Sequence, residues 1–215
     1  MATQTLAAPA EGTRRRLRVA DSAGYVLAGF PLAVCAFVLL VTGFAAGIGT
    51  LAITIGIAVL AGTLAAARLF ARVERSRLDA LLRYRTPRPA YRTPQGGRLG
   101  RAVSAGADPR RWLDLLHGIV GFPVAVASFA IVVTWFAGAV GGLGYVLWEW
   151  SVPRGGPDNH TLAYYIGLGD GRTADILLTT GLGALMAITL PWVVRGCAAV
   201  QAGLAWILLV DHDDD

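Results

Sequence analysis

Long apolar stretches, separated by arginine-rich and aromatic segments, set the pattern of this chain. The first runs from about Gly24 to Ala46 without a charge; the second, about 48–70, is apolar up to Arg68. The third covers about 113–140, with Asp114 and His117 confined to its first turns, and the fourth covers about 176–194. A helix needs about 20 apolar residues to cross a hydrocarbon core of ~30 Å, and each stretch meets that length. Spanning strands would alternate in polarity and close into a barrel; these runs do not alternate, so they predict helices. The first run is too long for a cleaved leader and leads directly into the second. A shorter run, 196–210, follows Arg195 and reads as a continuation of the fourth helix, along the membrane surface or against partner helices. A re-entrant or fifth span is its alternative.

Composition points the same way. Of 215 residues, 55% are hydrophobic and 15% charged, with a mean hydropathy of +0.56. Soluble domains carry about 25% charged residues, and a disordered chain would be far more polar. The implied surroundings are a lipid bilayer. The basic residues are all arginine, with no lysine, in an Ala- and Gly-rich chain. This usage suggests a GC-rich bacterial gene and hence the bacterial plasma (inner) membrane. Cys35 and Cys197 sit in separate apolar stretches and cannot form a zinc cluster or a redox CxxC pair.

Arginine placement gives an expected topology. A basic arm, 1–20, carries Arg14, Arg15, Arg16 and Arg18; segment 71–112 is arginine-rich, whereas 141–175 holds only Arg154 and Arg172. The positive-inside rule puts both termini and the 71–112 loop in the cytoplasm and 141–175 outside. The membrane domain then covers 21–210 and ends in an acidic tail, 211–215, which contributes little to orientation. The basic loop suits anionic headgroups or a cytoplasmic domain, and a nucleic-acid role is not expected.

The chain also repeats itself. Gly29-Phe30-Pro31 aligns with Gly121-Phe122-Pro123, and the register holds through Phe37 and Phe129, Val41-Thr42 and Val133-Thr134, and Phe44 and Phe136. Arg68, Leu81 and Leu82 correspond to Arg195, Leu208 and Leu209 at a constant offset. The expected fold is therefore an all-α membrane protein: four transmembrane helices in two parallel helical-hairpin repeats, related by an axis along the membrane normal. Amphipathic cytoplasmic extensions are expected as well. Residues 67–85 extend the second span, with Glu74 near Arg77 and Asp79 near Arg83 at helical spacing. Asp108 and Pro109 read as the N-cap and first residue of the third helix.

Few residues suggest chemistry. Intramembrane charges are the usual mark of function, yet no Asp, Glu or Arg falls at the centre of any span. His117 reads as an interfacial histidine rather than a proton relay. Gly169 to Asp175 resembles the start of a lipid-head-group transferase metal motif but lacks its later carboxylates; Asp175 is expected to cap the fourth span. No catalytic residue, metal site or cofactor is expected, so the chain does not read as an enzyme. The outer segment mixes aromatic and acidic groups, and Trp148, Glu149, Trp150, Tyr164 and Tyr165 are its candidate ligand-binding residues. An aromatic belt anchoring the helix ends is the plainer reading. Pro31, Pro123 and Pro191 are candidate hinges, although proline is common in membrane helices. Gly43-x-x-x-Gly47 and Gly138-x-x-x-Gly142 permit close helix approach, within one bundle or in a homodimer.

Further motifs follow in order: Pro87-Arg88-Pro89-Ala90-Tyr91-Arg92, Asp108-Pro109 with Trp112, Asp114-Leu115-Leu116, Tyr145 to Trp150, and Leu190-Pro191-Trp192-Val193-Val194-Arg195. With the two Phe-Pro hairpins, this pattern resembles the sensor domain at the N-terminus of many bacterial sensor histidine kinases. The resemblance implies a four-helix membrane input module in two-component signal transduction. No phosphoacceptor histidine box or ATP-binding glycine motif is present, so a stand-alone module is expected, signalling through a separate histidine kinase or other membrane signalling protein. A small transporter or a lipid- or amphiphile-binding protein is the alternative.

Overall fold

The computed structural model describes residues 18–53, 55–86, 106–152, 162–167 and 171–210. Four long helices carry the fold: α1 Val19–Gly49, α2 Ile55–Leu82, α3 Pro109–Leu143 and α4 Arg172–Leu209. Single turns at Leu51–Ile53, Tyr145–Trp148, Glu149–Ser151 and Leu162–Tyr165 join or flank them. No strand occurs among the described residues. Each long helix is long and apolar enough to cross a membrane, and at most 28% of its most apolar window is buried inside the protein. The remainder needs lipid around it, so the chain is a multi-pass membrane protein.

Each hairpin closes through a glycine. Thr50 ends α1, its Oγ1 donating to the Ala46 carbonyl at 2.7 Å, and Gly56 N bonds back to the Thr50 carbonyl at 3.1 Å. A Cβ on Gly56 would collide with the Gly47 carbonyl and the Leu51 nitrogen. In the second hairpin, a Cβ on Gly183 would lie 2.6 Å from Gly142 Cα. At the offset relating Arg68 to Arg195, Gly56 is the counterpart of Gly183, so the repeat extends to how the hairpins close. Asp108 caps α3, accepting from Arg110 N at 3.1 Å, and Pro109 is its first residue, as expected.

Three expectations change. Asp175 does not cap α4: the helix starts at Arg172 after Gly171, and Asp175 lies in its first turn, accepting the Tyr145 hydroxyl at 2.6 Å. Asp79 does not engage Arg83 but accepts from Thr86 N and Oγ1 at 2.8 and 2.7 Å. Arg83 takes a left-handed φ of 58° just past α2, and from there its guanidinium reaches Asp21 at 2.9 Å. The apolar run after Arg195 is indeed the continuation of α4. It turns Ala198, Gln201, Ala202, Ala205 and Leu209 inward and shares a core with Tyr25, Val26, Ala71, Leu78 and Leu81.

The third change concerns how the hairpins meet. Phe30 stacks on Phe129 and Phe37 on Phe122, each with ring centroids 4.3 Å apart. Farther along, Leu40 reaches Gly118 and Phe44 meets Trp112 edge-on. Residue numbers rise along α1 as they fall along α3, so the helices run in opposed senses where they touch. Parallel hairpins would set Phe30 beside Phe122 instead. The stacking is reciprocal: Phe30 contacts the repeat counterpart of Phe37, and Phe37 that of Phe30, as in a two-fold isologous contact. Lipid surrounds the bundle and supplies no hydrophobic drive for association, so ring stacking and small-residue packing decide the pairing. Gly118 opposite Leu40 is the small residue that permits it.

Candidate functional site

The five residues singled out at the outer end do not behave alike. Glu149 is only 1% exposed, and its Oε2 accepts from Arg172 Nη2 at 2.6 Å. Together with Tyr145–Asp175, this bond ties the segment after α3 to the first turn of α4. The aromatic rings stay outside. Trp150 is 79% and Tyr165 70% exposed, with Trp148 and Tyr164 near half. Tyr164 and Tyr165 meet edge-on at 5.8 Å, and Trp150 Nε1 donates to the Leu147 carbonyl at 3.0 Å. Glu149 is thus buried while the rings stay exposed, an arrangement suited to anchoring at a membrane interface. Pro31, Pro123 and Pro191 each lie inside a helix that continues through them. Asp158, Asp170, residues 87–105 and the acidic tail lie outside the described residues.

A denser polar cluster sits where the two hairpins join. From α2, Glu74 accepts the Tyr25 hydroxyl on one carboxylate oxygen and Arg77 Nη1 on the other. Arg77 also donates to the Tyr25 carbonyl, and its guanidinium lies 4.6 Å from the centre of the Tyr25 ring. One turn of helix thereby fastens α2 to α1. Arg75 serves the other hairpin: its Nη1 lies 3.3 Å from Asp114 Oδ1 on α3 and 3.3 Å from the Leu209 carbonyl at the end of α4. Both members of this ion pair are buried. Such a pair costs its desolvation, and removing one partner leaves an uncompensated charge. Just beyond α2, Tyr84 meets Trp206 of α4 edge-on; desolvation, then the Asp79 carboxylate, push its hydroxyl above its usual range.

Between these fasteners lies a cavity of about 50 Å³, lined by Gly29, Glu74, Arg77, Asp114, His117, Gly121 and Gln201 among apolar neighbours. A water needs roughly 10–15 Å³ by the same measure, so the space takes a few water-sized particles. Two lining groups have no hydrogen-bond partner: His117 Nδ1 and Gln201 Nε2, the latter on a residue only 8% exposed. The glycines make the room. A Cβ on Gly29 would press to 2.9 Å from Arg77 Nη2 and 3.2 Å from Gln201 Oε1, and one on Gly121 would touch the His117 ring. Among the described residues no cluster of His, Cys, Asp or Glu could hold a metal ion.

Sequence reasoning did not single these residues out. Glu74 and Arg77 read as a pair on a solvated extension, and Asp114 and His117 as interfacial. The signal was in the repeat register: Gly29 and its counterpart Gly121 both line the cavity, and Glu74 occupies the position that Gln201 occupies in the second hairpin. Prolonging that register past the apolar cores would have brought both helix ends to one junction.

No curated protein and no solved structure matches the chain. A family model described as "Putative sensor" matches residues 25–209, from the tyrosine that bonds Glu74 to the carbonyl that Arg75 grips. The chain therefore belongs to that sensor family.

Proposed function

We propose that the chain is a membrane-embedded input module that senses at the hairpin junction and passes its state to a separate signalling protein, a histidine kinase being the partner class. It has no catalytic role of its own in this reading. The observation that carries the proposal is Arg75, which joins the start of α3 and the last carbonyl of α4 through one side chain. Any rearrangement of the hairpins that moves α2 against α3 also loads the end of α4. A ligand drives such a rearrangement only by its differential affinity for the two arrangements. Residues from α2, the first turns of α3 and the end of α4 meet at Arg75. The arginine-rich flanks favour the cytoplasmic face.

The test is capture of the full chain from its native membranes, followed by assay of the captured kinase. Copurification of a kinase whose autophosphorylation changes with Arg75→Met supports the reading. Saturable solute uptake by the purified chain in vesicles, without a signalling partner, overturns it in favour of transport.

A further inference from the structure

We infer that the cavity at the hairpin junction is a binding site for a small monovalent anion, held between His117 and Gln201. This rests on the sensor reading and gives that sensor a ligand class. The argument is one of spare hydrogen-bonding capacity. Both Glu74 oxygens are engaged, one by Tyr25 and one by Arg77, and Asp114 is engaged by Arg75. The charges facing the cavity from α2 and α3 therefore compensate one another, and the carboxylates are occupied rather than open to a cation. What remains unsatisfied is the amide nitrogen of Gln201, which can only donate, and His117 Nδ1. An imidazole carrying its proton on Nδ1 donates there as well. His117 of α3 and Gln201 of α4 thus give the cavity two donors from the second hairpin, across from Glu74 and Arg77 of the first.

Size and charge narrow the occupant. The cavity, about 50 Å³, admits a few non-hydrogen atoms, which suits formate, nitrate or a halide. The local charge is balanced, so a monovalent ion is tolerated better than a divalent one. Gly29 and Gly121 keep the two sides open, since a side chain at Gly29 would meet Arg77 and Gln201 and one at Gly121 would meet His117. The anion would sit at the crossing of the repeats and touch both α3 and α4. Arg75 holds those same two helices, so occupancy and the end of α4 become linked.

The experiment uses the full chain in lipid nanodiscs, with sodium formate and sodium nitrate as probes and sodium sulfate at matched ionic strength as the control. The His117 imidazole nitrogen signals, assigned by their loss in His117→Phe, report occupancy. A saturable shift with formate or nitrate, absent with sulfate, is expected. A hydrogen bond to a charged group contributes about 1.5–3 kcal/mol, so Gln201→Leu should weaken the apparent affinity by roughly tenfold or more. Gln201→Glu, which adds a like charge, should abolish binding. A response that never saturates, one shared equally by sulfate, or an affinity unchanged in Gln201→Leu means that the cavity holds water only, and the proposal fails. That failure is separate from the signalling reading, which partner capture tests without any added anion.

Discussion

The two hairpins share a backbone and differ in chemistry. Gly56 and Gly183 close them in the same way, and Gly29 and Gly121 open the same space at the junction. Yet where α2 presents Glu74, Arg75 and Arg77, the corresponding positions of α4 carry Gln201, Ala202 and Leu204. Tyr25, which satisfies Glu74, corresponds to His117, whose Nδ1 has no partner. The packing positions are shared between the repeats, whereas three of the four charged groups at the junction, Glu74, Arg75 and Arg77, come from α2 and only Asp114 from α3. A symmetric junction would bury two sets of ions side by side. The asymmetric one holds a single compensated set and leaves His117 Nδ1 and Gln201 Nε2 to meet something else. Function is therefore to be sought in the difference between the repeats.

The sharpest way to break this comparison is to neutralise equivalent positions. Glu74→Ala strands the part-buried Arg77 and the Tyr25 hydroxyl, and each hydrogen bond lost to a charged group costs about 1.5–3 kcal/mol. Gln201→Ala removes a group already short of a partner and should cost under about 1.5 kcal/mol. Chemical denaturation in mild detergent, followed by tryptophan fluorescence, measures both; equal losses would erase the asymmetry. Next in size is the hairpin closure. Gly183→Ala and Gly56→Ala force backbone apart in a tightly packed place, and each should destabilise by about 1–3 kcal/mol. Proteolytic resistance of the two variants should fall together, because here the copies are alike.

Pairing between the hairpins sharpens the comparison further. In a background lacking Cys35 and Cys197, cysteines replacing Phe37 and Phe122 should crosslink readily. Cysteines replacing Phe37 and Phe129 should not. The opposite yields would restore the parallel arrangement that the repeat alone suggests. The smallest effect belongs to the outer rim: Trp150→Ala, on a ring 79% exposed, should change stability by no more than about 0.5 kcal/mol, whereas Glu149→Ala removes the buried partner of Arg172 and should cost more. Thermal denaturation of the two variants compares them.

How far the sequence could be read follows from what each feature depends on. Span number and helix type are local properties of apolar runs, so the four helices were legible, as were the cap at Asp108 and the continuation of α4. The family was legible from ordered motifs such as Leu190-Pro191-Trp192. The junction was not, because Glu74, Arg75 and Arg77 on α2 correspond to Gln201, Ala202 and Leu204 on α4, so the two copies share no charge pattern there. Glu74 four residues from Leu78 looks like an amphipathic surface until α1 covers it with Tyr25. Glu149 looked like part of an open aromatic patch, but its depth is set by Arg172, on a helix 23 positions away in sequence. The sense of the α1–α3 contact depends on four phenylalanines whose spacing is the same for either direction, so spacing could not decide it.

The central claim is that Arg75 couples the hairpin junction to the end of α4. Hydrogen–deuterium exchange on the full chain in nanodiscs reads this directly, comparing the natural sequence with Arg75→Met combined with Asp114→Asn, which removes both charges and so leaves no buried ion behind. Loss of the grip on the Leu209 carbonyl should raise amide exchange across residues 205–210 by roughly tenfold, corresponding to about 1.4 kcal/mol, with the turn between α1 and α2 unchanged. If residues 205–210 stay as protected as in the natural sequence, Arg75 does not hold the end of α4 and the coupling does not exist.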